Sequence, residues 1–231
     1  MRGSGALAAT AEHCAFCFDS LAAQLAGQPL PEPTFDDGHC ALFVTWSKTP
    51  SSDPAAPPRL RGCIGTLEPR RLRPALRDYA LTSALRDSRF APISRRELPA
   101  LTCGVSLLHS FEAAGGAEDW EPGVHGITIE FQDPRLGVRR SATFLPEVAP
   151  EQGWDRRATL EALVRKAGYD GPVDAALRRG LRVTRYQSSK ARLGYADYAA
   201  SRAAAGCRGE ALRAGEGLEE PAAGEAAAAF A

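Results

Sequence analysis

The sequence predicts an α+β protein whose strands pair largely antiparallel. Short runs rich in β-branched and aromatic residues alternate irregularly with helical stripes, and two consecutive runs are joined by a hairpin through residues 132–137. The regular strand-helix alternation of a doubly wound sheet is missing. With 231 residues, 44% of them hydrophobic, the chain can bury a sizeable core.

From about Leu7 to Ala26, apolar residues recur at Cys14, Phe18, Leu21 and Leu25, one stripe of a helix that Gly27 and Pro29 end. Residues 40–46, CALFVTW, read as a buried strand, and the Pro-rich stretch at 47–58 as a surface loop. Residues 59–67, RLRGCIGTL, form a second strand that Pro69 is expected to end. Leu72, Ala75, Leu76, Tyr79, Ala80 and Leu85 then make a helical face, with Pro74 tolerated in the first turn. Ser94 and Glu97 have the capping-box spacing of a short helix. Strands follow at 101–108, 126–131 and 139–146, the last two forming the hairpin. Asp155 is placed to cap a helix that runs to Gly168, with Leu160, Leu163, Val164 and Ala167 on its buried side. A short helix near 174–179 and a strand at 181–187 complete the pattern. One domain is therefore expected over residues 1–203, and residues 204–231, rich in Ala, Gly and Glu, are expected to be disordered.

Charge balances at 28 Lys+Arg against 28 Asp+Glu, which argues against a whole-protein nucleic-acid or anionic-membrane footprint. Lysine occurs only at Lys48, Lys166 and Lys190, against 25 arginines; a GC-rich genome explains this better than phosphate recognition. No run approaches the ~20 apolar residues of a membrane span, and the start carries no export or transit pattern, so a cytoplasmic or nuclear location is expected. Cysteines at 14, 17, 40, 63, 103 and 207 sit singly in apolar segments and are expected to be reduced thiols. The Cys14–Cys17 pair lies within a helix and reads as core; His13, His39, His109 and His125 show no ligand spacing, so no metal is expected. P-loop, Rossmann and Ser-His-Asp signatures are absent, and no cofactor is expected.

The chemistry concentrates at 59–67. Strand alternation puts Arg61, Cys63 and Gly65 on one face and Leu60, Gly62 and Ile64 on the other. Arg61 and Cys63 then stand about 7 Å apart, where the guanidinium favours a thiolate. Gly62 and Gly65 remove side chains beside the cysteine and let a ligand or another backbone approach. The competing reading is a buried structural thiol between packing glycines. His125, between Gly123 and Gly126, would make an activated nucleophile of Cys63 if the two met, and is otherwise a surface-turn histidine. Asp87 and Arg89 form either a local ion pair or part of a ligand site, and Glu147 is placed to point into the same cleft or to solvent.

LRGCIGTL, together with LTSALRDSRF (81–90), GVHGI (123–127), LPEVAPEQGWD (145–155) and LVRKAGY (163–169), resembles the AMMECR domain family, with RGCIG as its hallmark. The five blocks stand in family order across residues 10–202. The resemblance implies a two-lobed α+β fold of two related units, each of three strands, two helices and a strand. It also implies an unassigned activity and, from prokaryotic relatives beside or fused to Memo-type proteins and radical-SAM enzymes, an accessory role. Three functions follow. The first is a regulatory binding protein using a cleft around Cys63, with Arg61, Gly62, Ile64, Gly65, Asp87 and Arg89 holding a small molecule or a protein partner. The second is an enzyme with Cys63 as nucleophile, Arg61 lowering its pKa and Glu147 or His125 handling protons. The third is a nuclear nucleic-acid contact through Arg59, Arg61, Arg70, Arg71 and Arg73, weakened by the lack of interleaved aromatics.

Overall fold

In the computed structural model, which describes residues 7–50 and 56–204, capping decides where the first helix begins and ends. Helix α1 (Ala11–Ala26) starts at Thr10, whose backbone N–H donates to His13 Nδ1 at 3.0 Å, and stops at Gly27 in the left-handed region at φ 65°. Its stripe buries Cys14, Phe18 and Leu21 completely. The chain continues through β1 (His39–Lys48), β2 (Arg59–Arg71), α2 (Leu72–Leu85), a 3₁₀ turn (Arg95–Ala100) and β3 (Leu101–Ala113). The second half contributes β4 (Gly126–Gln132), β5 (Arg139–Phe144), α3 (Val148–Gln152), α4 (Arg156–Lys166), α5 (Ala175–Arg179) and β6 (Arg182–Gly194). Residues 195–204 form a further helix, α6. The Ser94–Glu97 capping box is present, and Asp155 accepts from the Ala158 N–H at 2.7 Å. Most of the expected tail, from residue 205 onward, and residues 51–55 of the Pro-rich loop lie outside the described residues.

All strand pairs are antiparallel in one six-stranded sheet of order β2-β1-β3-β6-β4-β5. Each half runs two strands, a helical stretch and a third strand, so each has one strand fewer than the resemblance implies. Within each half the spatial order is second, first, third. The third strands β3 and β6 pair with each other at the middle, relating the halves by a pseudo-twofold arrangement.

Each half has its own core. Cys40, Leu42, Val44 and Trp46, alternate residues of β1, pack with α1, α2 and β3, and the Trp46 indole donates to the Ala80 carbonyl at 3.0 Å. Ile127, Ile129 and Phe131 of β4 pack with Leu160, Leu163 and Val164 of α4 in the second core. A small third cluster of Ala41, Leu108 and Tyr186 sits at the seam.

Pro69 does not end β2. The pairing of β1 with β2 jumps from Leu42↔Thr66 to Cys40↔Arg70, so Pro69 falls in a bulge on the edge strand, where its missing N–H breaks no ladder bond. The CxxC pair is core: Cys14 and Cys17 are fully buried with Cys103 of β3, and burial pushes the Cys17 and Cys103 thiols up. The five cysteines among the described residues are free. No helix of the described residues is long and apolar enough to cross a membrane.

Candidate functional site

The residues of β1 that do not enter the core, Phe43, Thr45 and Ser47, face a cleft of about 630 Å³. The opposite wall comes from the other half: Thr143 and Phe144 of β5, Glu147 and Glu151 near α3, Lys166 at the end of α4, and Lys190 and Arg192 of β6. Residues from both edge strands, β2 and β5, line this one hollow, so the sheet curls around it.

Cys63 is half-buried in the cleft wall. Its sulfur accepts a hydrogen bond from Thr45 Oγ1 at 3.2 Å, its N–H donates to Asp87 Oδ2 at 2.9 Å, and its carbonyl accepts from Arg89 Nη2 at 3.0 Å. Burial pushes the thiol up; Thr45 and the Arg89 charge oppose this, while Glu147 and Asp87 add to it. The net effect is a protonated, poorly activated thiol near neutral pH.

Asp87 is buried and binds the Arg89 guanidinium twice, at 2.7 and 2.9 Å. The Arg89 hydrogen bond, helped by the Cys63 N–H, holds its carboxyl well below the usual carboxylate range. Asp87 thus lies behind the wall and fixes Arg89, which lines the cleft. Lys190 forms an ion pair with Glu147 on the wall contributed by the second half. Lys166 is exposed as a residue; its ammonium lies over the Phe144 ring, 4.7 Å from the centroid, and donates to the Thr143 carbonyl at 2.8 Å. Neighbouring protein atoms displace part of that ammonium's hydration and lower its pKa; the Arg89 charge acts in the same direction and Cys63 against it.

Several expected roles are corrected by this geometry. Arg61 does not serve Cys63. The β1–β2 pairing passes from Trp46↔Gly62 to Ser47↔Leu60, so Arg61 is the extra residue of a bulge and the alternation slips by one. Leu60 therefore joins Cys63 on the cleft wall, while Arg61 turns to Glu97 at 3.1 Å and to the carbonyls of Ala91 and Pro92. Gly62 and Gly65 open no hollow at the sulfur. A Cβ at Gly62 would lie 2.0 Å from the Ser83 carbonyl oxygen, and one at Gly65 would lie 2.1 Å from that of Leu42. The backbone reading of these glycines holds: they admit α2 and β1. Ile64 pairs with Val44 and does not line the cleft.

His125 does not meet Cys63 either. Its ring Nδ1 accepts from the Glu121 N–H at 3.1 Å and its backbone N–H donates to the Glu121 carbonyl at 2.9 Å, which closes a local turn. Glu147 does reach the cleft, as a partner of Lys190. Of the arginine cluster, Arg61 pairs with Glu97, Arg70 with Glu68 and Arg71 with Asp37, while Arg73 Nε donates to the Phe35 carbonyl at 2.8 Å, so three of the five charges are matched by carboxylates. The predicted set that the structure brings together is thus Cys63, Arg89 and Glu147, with Asp87 behind them.

Lys166, Lys190, Arg192 and Thr45 were missed by sequence reasoning. Lysine scarcity was the available signal: two of the chain's three lysines line this cleft.

Residues 14–191 match the AMMECR1 family. An uncharacterized protein of Arabidopsis thaliana is 48% identical over 192 residues, covering 83% of this chain and 88% of its own. An uncharacterized protein of Schizosaccharomyces pombe is 38% identical over 192 residues, covering 81% and 94%. The crystal structure of an uncharacterized protein from Pyrococcus horikoshii superposes with a TM-score of 0.65 at 26% identity, covering 78% of this chain and 89% of that one. The match spans the RGCIG strand, both cores and the cleft between them, and by it the chain belongs to the AMMECR1 family.

Proposed function

We propose that the protein is an accessory binding protein whose seam cleft holds a small monoanionic ligand. The observation that carries this reading is the charge gathered there. Arg89, Lys166, Lys190 and Arg192 line the cleft against Glu147 and Glu151, and Asp87 behind Arg89 offsets one more cation. One positive charge remains in excess, beside the apolar surface of Phe43, Phe144 and Leu145. A small carboxylate with a short apolar body fits both features. Within this reading the ligand is supplied or consumed by a Memo-type or radical-SAM partner, the company that the family resemblance implies. The thiol-enzyme reading is weaker, because Cys63 is held protonated and the arginine and histidine expected to activate it are engaged elsewhere.

Thermal unfolding with lactate and inorganic phosphate tests the proposal. A ligand at a hundredfold excess over its Kd stabilises by about 2.7 kcal/mol, which appears as a rise in Tm. The expected result is a rise with lactate that disappears in Arg192→Glu, which reverses the local charge excess. No rise in the wild type, or an equal rise in the variant, overturns the reading.

A further inference from the structure

We infer that Lys166 captures the carbonyl group of a small 2-oxo acid as a Schiff base in the seam cleft, with the neighbouring cations holding the acid's carboxylate. The inference rests on the anion-binding reading and specifies the ligand's class. Geometry separates the two cleft lysines. Lys190 is spent on Glu147, whereas among the described residues Lys166 has no carboxylate partner; its ammonium rests on a carbonyl oxygen and an aromatic face. The same cleft presents Arg89 and Arg192 for the carboxylate and Phe43 and Leu145 for a methyl or short alkyl group. Partial desolvation and the Arg89 charge both favour the neutral amine, the reactive form. An arginine cannot replace it, since a guanidinium stays charged and forms no imine under these conditions. Lys166 is one of only three lysines among 28 basic residues.

The step balances without a redox partner. Lys166 gives up a proton to become the free amine, and its nitrogen lone pair attacks the carbonyl carbon. The carbon–oxygen π bond breaks, its oxygen takes up a proton and the nitrogen, now bearing a positive charge, releases one, giving a neutral carbinolamine. The hydroxyl takes up a second proton and leaves as water while the nitrogen lone pair forms the carbon–nitrogen double bond of a protonated Schiff base. The open cleft supplies and removes the protons through solvent, and hydrolysis reverses the sequence.

Reductive trapping of the full chain tests this with pyruvate as probe and sodium cyanoborohydride as external reductant. Peptide mapping is expected to place the reduced adduct at Lys166, at least roughly tenfold above Lys48, because of the two only Lys166 shares its cleft with arginines that hold the carboxylate beside the amine. Lys166→Arg abolishes the adduct, Lys48→Arg retains it, and excess lactate, which has the carboxylate but no carbonyl, suppresses it. Adducts spread evenly over Lys48, Lys166 and Lys190 in the wild type overturn the inference without relying on any variant. A Tm rise with pyruvate but no trapped adduct overturns the Schiff base and leaves anion binding standing. Absence of both removes the two readings together.

Discussion

Cys63 holds the family's hallmark position, yet its surroundings keep the proton on sulfur. Burial outweighs the Thr45 hydrogen bond and the Arg89 charge, so alkylation by iodoacetamide at pH 6.5 should be slower than for a free thiol of pKa ~8.5. Faster labelling at that pH would restore the nucleophile. Glu97 is the opposite case. Burial alone would raise it, but hydrogen bonds from Arg61, Ser94 and Lys48 prevail and bring it to about 2. A depressed folded pKa gives stability that is complete above the unfolded value and is lost as pH falls through the folded one. Glu97→Gln should therefore cost about 2 kcal/mol at pH 7, and the gap from wild type should close between about pH 4.5 and pH 2. Denaturant titrations at several pH values check this, and a gap independent of pH refutes it. At this scale the sequence singled out Cys63, Arg89 and Glu147, which the fold brings to one cleft. It misassigned Arg61 because a one-residue bulge, which leaves no mark in the letters, inverts the alternation on which that assignment stood.

Elements meet most tightly where β2 touches α2. The Gly62 backbone lies against the Ser83 carbonyl so closely that a methyl group has nowhere to go. Gly62→Ala should destabilise by about 3 kcal/mol or prevent folding, because the obstacle is backbone and no side chain can yield. A variant with wild-type stability in urea would contradict this packing. Asp87 joins the same elements through Cys63 N–H and Arg89, and Asp87→Ala, which removes the acceptor of both, should cost about 2 kcal/mol in the same assay. Helix limits were readable because they follow local rules: Gly27 after α1, Asp155 before α4, the Ser94–Glu97 box. Strand limits were not. β3 and β6 run several residues beyond their apolar runs because each continues its ladder with the other, whatever the local composition.

For the molecule as a whole, the seam between two similar halves creates the site. Tyr186 is fully buried there, donating to the Phe144 carbonyl at 3.0 Å and sharing a 2.8 Å hydrogen bond with Thr143. Tyr186→Phe should lower stability by about 1–2 kcal/mol and weaken lactate binding, since it loosens the strand that carries Thr143 and Phe144 into the cleft. Unchanged stability and binding would detach the seam from the site. The α+β class and the antiparallel pairing were legible in the chain. The pairing of β3 with β6, which joins Cys63 to Lys166 and Lys190 in one hollow, was not, because that contact links distant segments with no shared local signal. The most direct measurement of the central claim is a crystal structure of the full chain grown in saturating lactate. The account predicts the lactate carboxylate in the seam cleft, within hydrogen-bond reach of at least two of Arg89, Lys166, Lys190 and Arg192. A cleft filled only by solvent at that concentration would contradict it.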